Sequence, residues 1–490
     1  MDQLIPVLLH FPPAGGIAGD DHYDSAARSH NQQVDKLAES PEFGDAAAQL
    51  IDHVDPAAYS ISYAQLLVQL VTATRVAKKQ PEPELLAKIA VFLNIFDARQ
   101  MRYAGKTLGE ILDWLVSGDM FPASVAVDLL TTALLRLDPT GSVLTSYHVA
   151  LVKLAFTTDN VEPALPLLEK NVVFYPGAKG LQETRPLGSL DLHPASYITV
   201  ETRLTKQLSS NDVLQYDLLR GLCFIQRRAW AQAFNALERV VTYPAKDSHS
   251  CSKIMVEAHN KWILVGLLLN GKTPTLPSYT SPGAQKTFAV LGKPYHSIGK
   301  AFEESTAESL KTEYESRGPQ FFSEENNLSL VRLVLQHYQR WQILNLRNIY
   351  TTVSLEQVRV RTQSAETAAP LATEAEVERL VRDMIDEGML SGTIERPADG
   401  GPAYLVFHEQ NEELSEAEFA QRMLRTARRI KEVEPLVRAT NERLGTSRDY
   451  VRYLSGQLKK GSKDAQRDYG SSFANQVEDE DLMTGVTTAF

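Results

Sequence analysis

From about residue 36 to residue 175 the apolar side chains recur at helical spacing, broken only by short Pro, Gly or Asp punctuation. Such a period lays an apolar stripe along each successive helix, and few stretches alternate with period two, so a β-rich fold is excluded at the outset. Segments near 59–78, 82–97, 107–117, 122–136, 144–157 and 161–174 read as helices of 11 to 20 residues. A stripe has to be covered, and links this short bring the next antiparallel helix to cover it. The 490 residues are 43% hydrophobic, enough for a sizeable core spread over about three domain lengths or one long array.

Residues 11–35 carry no period, and residues 1–35 are expected to form a flexible leader. The short apolar run at the N-terminus lacks the basic stretch of a secretory signal. The most apolar run elsewhere, Trp262 to Leu269, falls far below the roughly 18 residues that span a bilayer. Two cysteines in so long a chain make no disulfide framework; Cys223 and Cys251 are expected to be free, buried thiols of a reducing compartment. The net charge of −11 argues against general affinity for nucleic acid or anionic membrane. A soluble intracellular chain is expected.

In YDLLRGLCFIQRRAWAQAFNALERVVTYP, Gly221, Phe224, Ala233 and Leu237 take the small and large positions of a tetratricopeptide-like helical pair. Arg220 and Asp217 stand where that pattern prefers Leu and Trp, so the match is loose. Ala164 and Leu168 echo the same spacing. The helix that follows, KIMVEAHNKWILVGLLLNGK, is apolar on nearly all sides and should be sandwiched between neighbours. TPTLPSYTSPG after it is too rich in Pro and Ser for a helix and marks a turn in the array.

From about residue 320 the pattern changes. Residues 326–348 read as a long helix with Val331, Val334, Tyr338, Trp341 and Leu344 along one side. Ser354 with Gln357, and Thr373 with Glu376, have the spacing of capping boxes that open a short helix and a second one ending at Gly388. LSGTIER and AYLVFHE, joined by PADGG, read as a β-hairpin. Helix, short helix, helix and two-stranded wing is the order of a winged helix. Ser415 with Glu418 then opens a final helix to about Leu444. In it Met423, Ile430, Val437 and Leu444 are spaced by seven, with Phe419 and Val433 supplying part of a second row. Pro435 is expected to kink or divide that helix. Beyond residue 456 the chain is rich in Gly, Ser, Lys and Asp and ends with the acidic cluster Glu478 to Asp481, the composition of a disordered tail.

Chemistry is sparse. Gly266 to Thr273 fits the letters of the phosphate-binding loop, but its interior is three leucines of a helical run, and Pro274 and Pro277 forbid a helix starting at Lys272. A buried helix ending at Gly271 with Lys272 near the dipole terminus is the better account. No two of the 11 histidines are separated by a single residue, none forms H-E-x-x-H, and no G-x-S-x-G is present. No metal, cofactor or catalytic residue is expected. Residues 373–388 hold six acidic side chains against Arg379 and Arg382, a net −4 that phosphates would repel. The basic cluster Arg422, Arg425, Arg428, Arg429 and Lys431 lies on the final helix and reads as a solvated face or the complement of an acidic helix. The winged helix is therefore read as a protein-docking element, with the wing strand Tyr404, Leu405, Val406 and Phe407 offering an edge that extends a sheet across subunits.

The layout resembles that of PCI-domain proteins: a mainly α chain with an N-terminal tetratricopeptide-like helical-repeat array, a winged-helix subdomain with a β-hairpin wing, and a C-terminal helix. Residues 36–200 would be the N-terminal repeats and 201–410 the PCI domain, with repeats over 201–320 and the winged helix over 326–410. Residues 411–455 would form the bundle helix and 456–490 the tail. RGL at Arg220 to Leu222, AFNALERVVTYPA, EAHNKWILVGLLLNGK, LPSYTS, NNLSLV, TVSLEQV, LTSYHVALVKLAF, PALPLLE and LVFHE are similar to the subunit-three family of the COP-nine signalosome. The resemblance covers roughly residues 140–410, and LPSYTS separates it from the PCI subunits of the proteasome lid and of a translation initiation factor complex. It implies a non-catalytic scaffold of an assembly that removes a ubiquitin-like modifier from cullin-RING ligases, located in cytoplasm and nucleus. Hydrolysis in that family belongs to a JAMM zinc centre on a different subunit, and this chain lacks the H-x-H pair of such a centre. Other PCI and JAMM-type subunits are the implied partners, with no nucleic acid and no membrane. Phe419, Met423, Ile430, Val433, Val437 and Leu444 would carry the insertion of the last helix into a shared bundle.

Overall fold

The computed structural model describes residues 4–456 apart from 14, 79–80, 119, 177–185, 245–250, 305, 397–401, 409–415, 447 and 449. Contacts gather Met1–Ala420 into one unit and Gln421–Phe490 into a second. In the first, helices Ser60–Val76, Pro83–Ile95, Gly105–Ser117, Ala123–Leu137 and Ser146–Thr157 fall within two residues of the ends their period predicts. The sixth, expected over 161–174, shrinks to a 3-10 turn Glu162–Ala164 and one turn Leu165–Leu168. Pro163 and Pro166 withhold donors there, and the chain leaves as an extended strap in which Leu144 N donates to the Phe174 carbonyl at 2.9 Å.

The expected leader is not a loop. Leu4–Leu8 is helical, and Asp20–Ala38 is a 19-residue helix with Asp20 and Asp21 in its first turn, where the positive dipole end favours them. Its buried face is Tyr23, Ala27, His30 and Val34, one residue every three or four. With one aliphatic residue larger than alanine, that stripe is too polar to register as a period. Phe11 packs on Tyr23 at 5.1 Å between ring centroids, and Ser62 Oγ bonds both His30 Nε2 at 3.0 Å and the Leu8 carbonyl at 2.7 Å.

The tetratricopeptide-like pair is Ser210–Gln226 and Trp230–Val241. A Cβ at Gly221 would lie 3.0 Å from Leu237 Cδ2, so the absent side chain sets how closely the helices approach. Phe224, Ala233 and Leu237 are buried as the pattern requires. The two departures from the pattern have their own role. Arg220 donates to the carbonyls of Leu168 (2.6 Å) and Lys170 (3.1 Å), and Arg239 to that of Val172 (3.1 Å). Asp217 lies 3.3 Å from Arg239 and 3.7 Å from Arg220. Burial pushes the Asp217 carboxyl above the usual range even with both guanidinium groups beside it. The ion cluster pins the strap 168–175 to the helical pair.

Helix Lys253–Asn270 is buried along nearly its whole length, as its apolar circumference predicts. His259 stacks on Phe288 at 4.3 Å with the rings 3° from parallel. Past the Pro-rich turn, Ser281 caps helix Pro282–Leu291. A polar junction then leads into the winged helix: Tyr295 donates to Glu325 (2.5 Å) and Asn327 Nδ2 donates to the Tyr295 hydroxyl (2.7 Å). Asn260 of the central helix reaches the same Glu325 at 3.4 Å.

Two predictions follow from buried charge. Arg220→Leu leaves Asp217 half-compensated and two strap carbonyls without a donor, and should cost roughly 3 kcal/mol in a denaturant titration. Burial lowers the pKa of His30 to about 4 and of His148 and His259 to about 3, against 6.5 in the unfolded chain. Between those values the unfolded state binds more protons, so stability rises with pH across the window and is lost as pH falls from about 6.5 toward 4. His259→Phe keeps the stack and removes one titrating ring; the slope of unfolding free energy against pH should flatten by up to ~1.4 kcal/mol per unit.

Candidate functional site

The phosphate-loop letters fall on a helix end. Gly271 closes Lys253–Asn270 in the left-handed conformation (φ 65°), with its N–H donating to Leu267 O at 3.0 Å. A Cβ there would come 2.6 Å from the Trp341 ring. The amides that would cradle a phosphate are spent up to Gly271 on helical bonds, and the Thr273 amide donates to the Glu303 carboxylate. Among the described residues no group of three His, Cys, Asp or Glu is placed to hold a metal ion, and no helix is long and apolar enough to cross a membrane. Cys223 is buried, its thiol pushed up to about 12 by desolvation, so it offers no nucleophile; Cys251 is half-buried rather than buried.

The winged helix consists of helix Leu328–Leu346, strand β1 (Thr352–Ser354), helix Leu355–Arg361, helix Glu374–Asp386, and strands β2 (Gly392–Glu395) and β3 (Tyr404–Phe407). Ser354 and Thr373 cap their helices as predicted, accepting from Gln357 N and Glu376 N at 3.2 and 3.3 Å. Val353, Leu355, Val358, Val377, Val381, Met384, Leu405 and Phe407 share one core. Along Glu374–Asp386, the largely covered Glu378 carboxylate holds Arg382 and Arg396, each at 2.6 Å, while both guanidinium groups stay exposed; the helix keeps the six acidic side chains against two basic that the sequence counts over residues 373–388.

The hairpin β2–β3 forms as expected, but the sheet has a third strand. Its order is β1-β3-β2, all antiparallel, with Val353 opposite Leu405 and Ile394 opposite the same Leu405. The strand Tyr404, Leu405, Val406 and Phe407, expected to present a free edge, is therefore central, and its backbone groups are committed on both sides. The open edges are those of β1 and β2. Phe407 N donates to Thr351 O and Leu355 N to Ala403 O, both at 2.9 Å, so Thr352 turns its N–H and C=O outward and Ser354 its N–H, the Ser354 carbonyl belonging to the helix it caps. Ile349 and Val360, shortly before and after β1, are 72% and 64% exposed. The outer end of β2 carries Glu395 and Arg396, charges that discourage edge pairing. Sequence reasoning missed β1 because Ser354 was absorbed into a helix start; the exposed–buried alternation of Thr352 and Val353 was the only other signal.

The C-terminal helix runs Glu416–Thr446 as one element with Pro435 inside it, so proline does not divide it. The carbonyl that Pro435 cannot satisfy is that of Lys431, an exposed residue. Met423, Ile430 and Val437 are 58%, 63% and 51% exposed; Phe419 and Leu444 are also exposed, and Val433 is half-buried. The seam read from the sequence is thus an uncovered apolar stripe. Its proposed capping residue, Ser415, and the tail beyond 456 lie outside the described residues.

Compared with known proteins, residues 20–283 match the family described as COP9 signalosome complex subunit 3, N-terminal helical repeats. A Neurospora crassa protein named COP9 signalosome complex subunit 3 is 46% identical over 497 residues, covering 99% of this chain and 99% of that one. The Emericella nidulans protein of the same name is 27% identical over 480 residues, covering 95% of each.

Proposed function

The chain belongs to the COP9 signalosome subunit 3 family, and from that membership and its surfaces we infer that it is a non-catalytic scaffold subunit of the signalosome. The assembly removes a ubiquitin-like modifier from cullin-RING ligases in cytoplasm and nucleus, and the hydrolytic JAMM zinc centre sits on another subunit. This chain contributes position. Its partners are the other PCI subunits and the JAMM-type subunit, reached through two surfaces.

The observation that carries this reading is the uncovered stripe Met423, Ile430, Val437 and Leu444 on a helix of 31 residues. A stripe of that length with a seven-residue repeat suits a helical bundle, where each side chain fills a hole between facing helices. The second surface is the open edge of β1, whose outward amides and carbonyl suit a strand from a neighbouring winged helix, with Ile349 and Val360 as apolar flanks. The acidic face of Glu374–Asp386 speaks against nucleic acid in the groove-reading position.

Ile430→Asp with Val437→Asp places two carboxylates in the seam. Co-purification of the tagged chain with its signalosome partners should fall by more than about 100-fold, since burying those two side chains is worth roughly 3 kcal/mol or more. The helical array should melt unchanged; normal incorporation would exclude the bundle. Thr352→Pro removes an outward donor of β1 without touching its bonds to β3, and should weaken incorporation in the same assay. Ile394→Pro, its counterpart on the outer edge of β2, should not. The reverse pattern would assign the docking edge to β2.

A further inference from the structure

Charge is distributed unevenly about the exposed stripe. With Met423, Ile430, Val437 and Leu444 as one row and Phe419, Thr426, Val433 and Thr440 as the other, Arg422 and Arg429 directly precede the first row and flank the seam on one side. The opposite flank holds Ala427, Glu434 and Asn441. Arg425 and Arg428 lie beyond the arginine flank, so the half of the helix from 422 to 431 is basic, while the half after it mixes Glu432, Glu434 and Glu442 with Arg438 and Arg443. All five cationic side chains in that half are exposed, and the ion pairs among the described residues include neither Arg422 nor Arg429. Among the described residues, the ion pairs leave Arg422 and Arg429 beside the seam without a carboxylate across it.

We propose that the helix received by this seam is acidic: an amphipathic helix of another subunit whose Asp and Glu side chains face Arg422 and Arg429. The inference rests on the bundle reading above and adds the chemistry of the partner. Residues that flank a seam pair across it with the facing helix, and their charges choose partner and orientation. A polyanion such as nucleic acid would meet the apolar stripe in the middle of its contact and would leave Met423, Ile430 and Val437 unfilled. The chain's own acidic run, Glu478 to Asp481, matches in charge but not in sequence pattern. It is accompanied only by Val477, Leu482 and Met483, with no seven-residue repeat to fill a stripe running from Met423 to Leu444.

The test uses the full chain incorporated into its complex. Arg422→Glu with Arg429→Glu should lower incorporation about tenfold at low salt, while Arg422→Lys with Arg429→Lys keeps it. Complex carrying the lysine variant is then treated with a carbodiimide, which joins an amine to a carboxylate in contact with it, and the linked peptides are identified by mass spectrometry. Links from positions 422 and 429 to Asp or Glu on a helix of another subunit are expected. Links to Glu478–Asp481 of the same chain would make the tail the occupant and overturn the proposal. So would the absence of links, or full incorporation of the glutamate variant. If Ile430→Asp with Val437→Asp still abolishes incorporation in that case, the bundle stands and only the acidic partner falls.

Discussion

The Arg220 guanidinium donates to the carbonyls of Leu168 and Lys170 while lying beside Asp217, and Arg239 continues the arrangement to Val172 and to the Tyr175 hydroxyl at 2.5 Å. Nothing in a regular helical array does this. Repeating helices cover one another's stripes, but the segment after Leu168 is not a helix, so the carbonyls of Leu168, Lys170 and Val172 have no helical donor. An extended strap inside a helical core is tolerable only where something donates to it. Two arginines meet that demand, and Asp217 lowers the cost of burying them. The N-terminal repeats and the pair Ser210–Gln226 and Trp230–Val241 are joined through this strap, so their relative placement depends on a charge cluster rather than on apolar packing alone.

The same point governs what was legible in the sequence. Long helices with dense aliphatic stripes appeared within two residues of their ends, because burial and period carry the same information there. Asp20–Ala38 did not, because Tyr23, Ala27 and His30 bury well yet contribute little hydropathy. Its stability comes from stacking and from the Ser62 bonds, which depend on residues distant in the chain. Arg220 and Asp217 looked like flaws in a repeat and are the residues that answer the strap. A deviation from pattern at a buried position was the signal; its meaning needed the carbonyls 50 and 52 residues away.

The winged helix shows how a small omission reverses a functional reading. Helices, caps and hairpin were all legible from period and capping chemistry. Three residues, Thr352 to Ser354, were not, since a strand that short has too few alternations to be seen against a helix start. Adding it moves Tyr404–Phe407 from the edge to the centre of the sheet. Its alternation of half-buried and buried residues is that of any strand packed on one core, and alternation alone does not distinguish centre from edge. The open edge thereby passes to β1, where Thr352 points both backbone groups, and Ser354 its N–H, away from the sheet.

The C-terminal helix poses the opposite problem: everything about it was legible except what holds it. Its stripe is more than half exposed at Met423, Ile430 and Val437, and Pro435 removes one backbone bond near its middle. An interior proline costs about 3 kcal/mol, more than several good pairs on an exposed helix return. Propensity therefore does not make this a self-sufficient rod. Covering the stripe would add roughly 1.5 kcal/mol or more for each large apolar side chain, which is enough to offset the proline once two or three are buried. Helix order and assembly are in this way one equilibrium. If neighbouring helices cover the stripe, the stability of this last element would report that the bundle is complete.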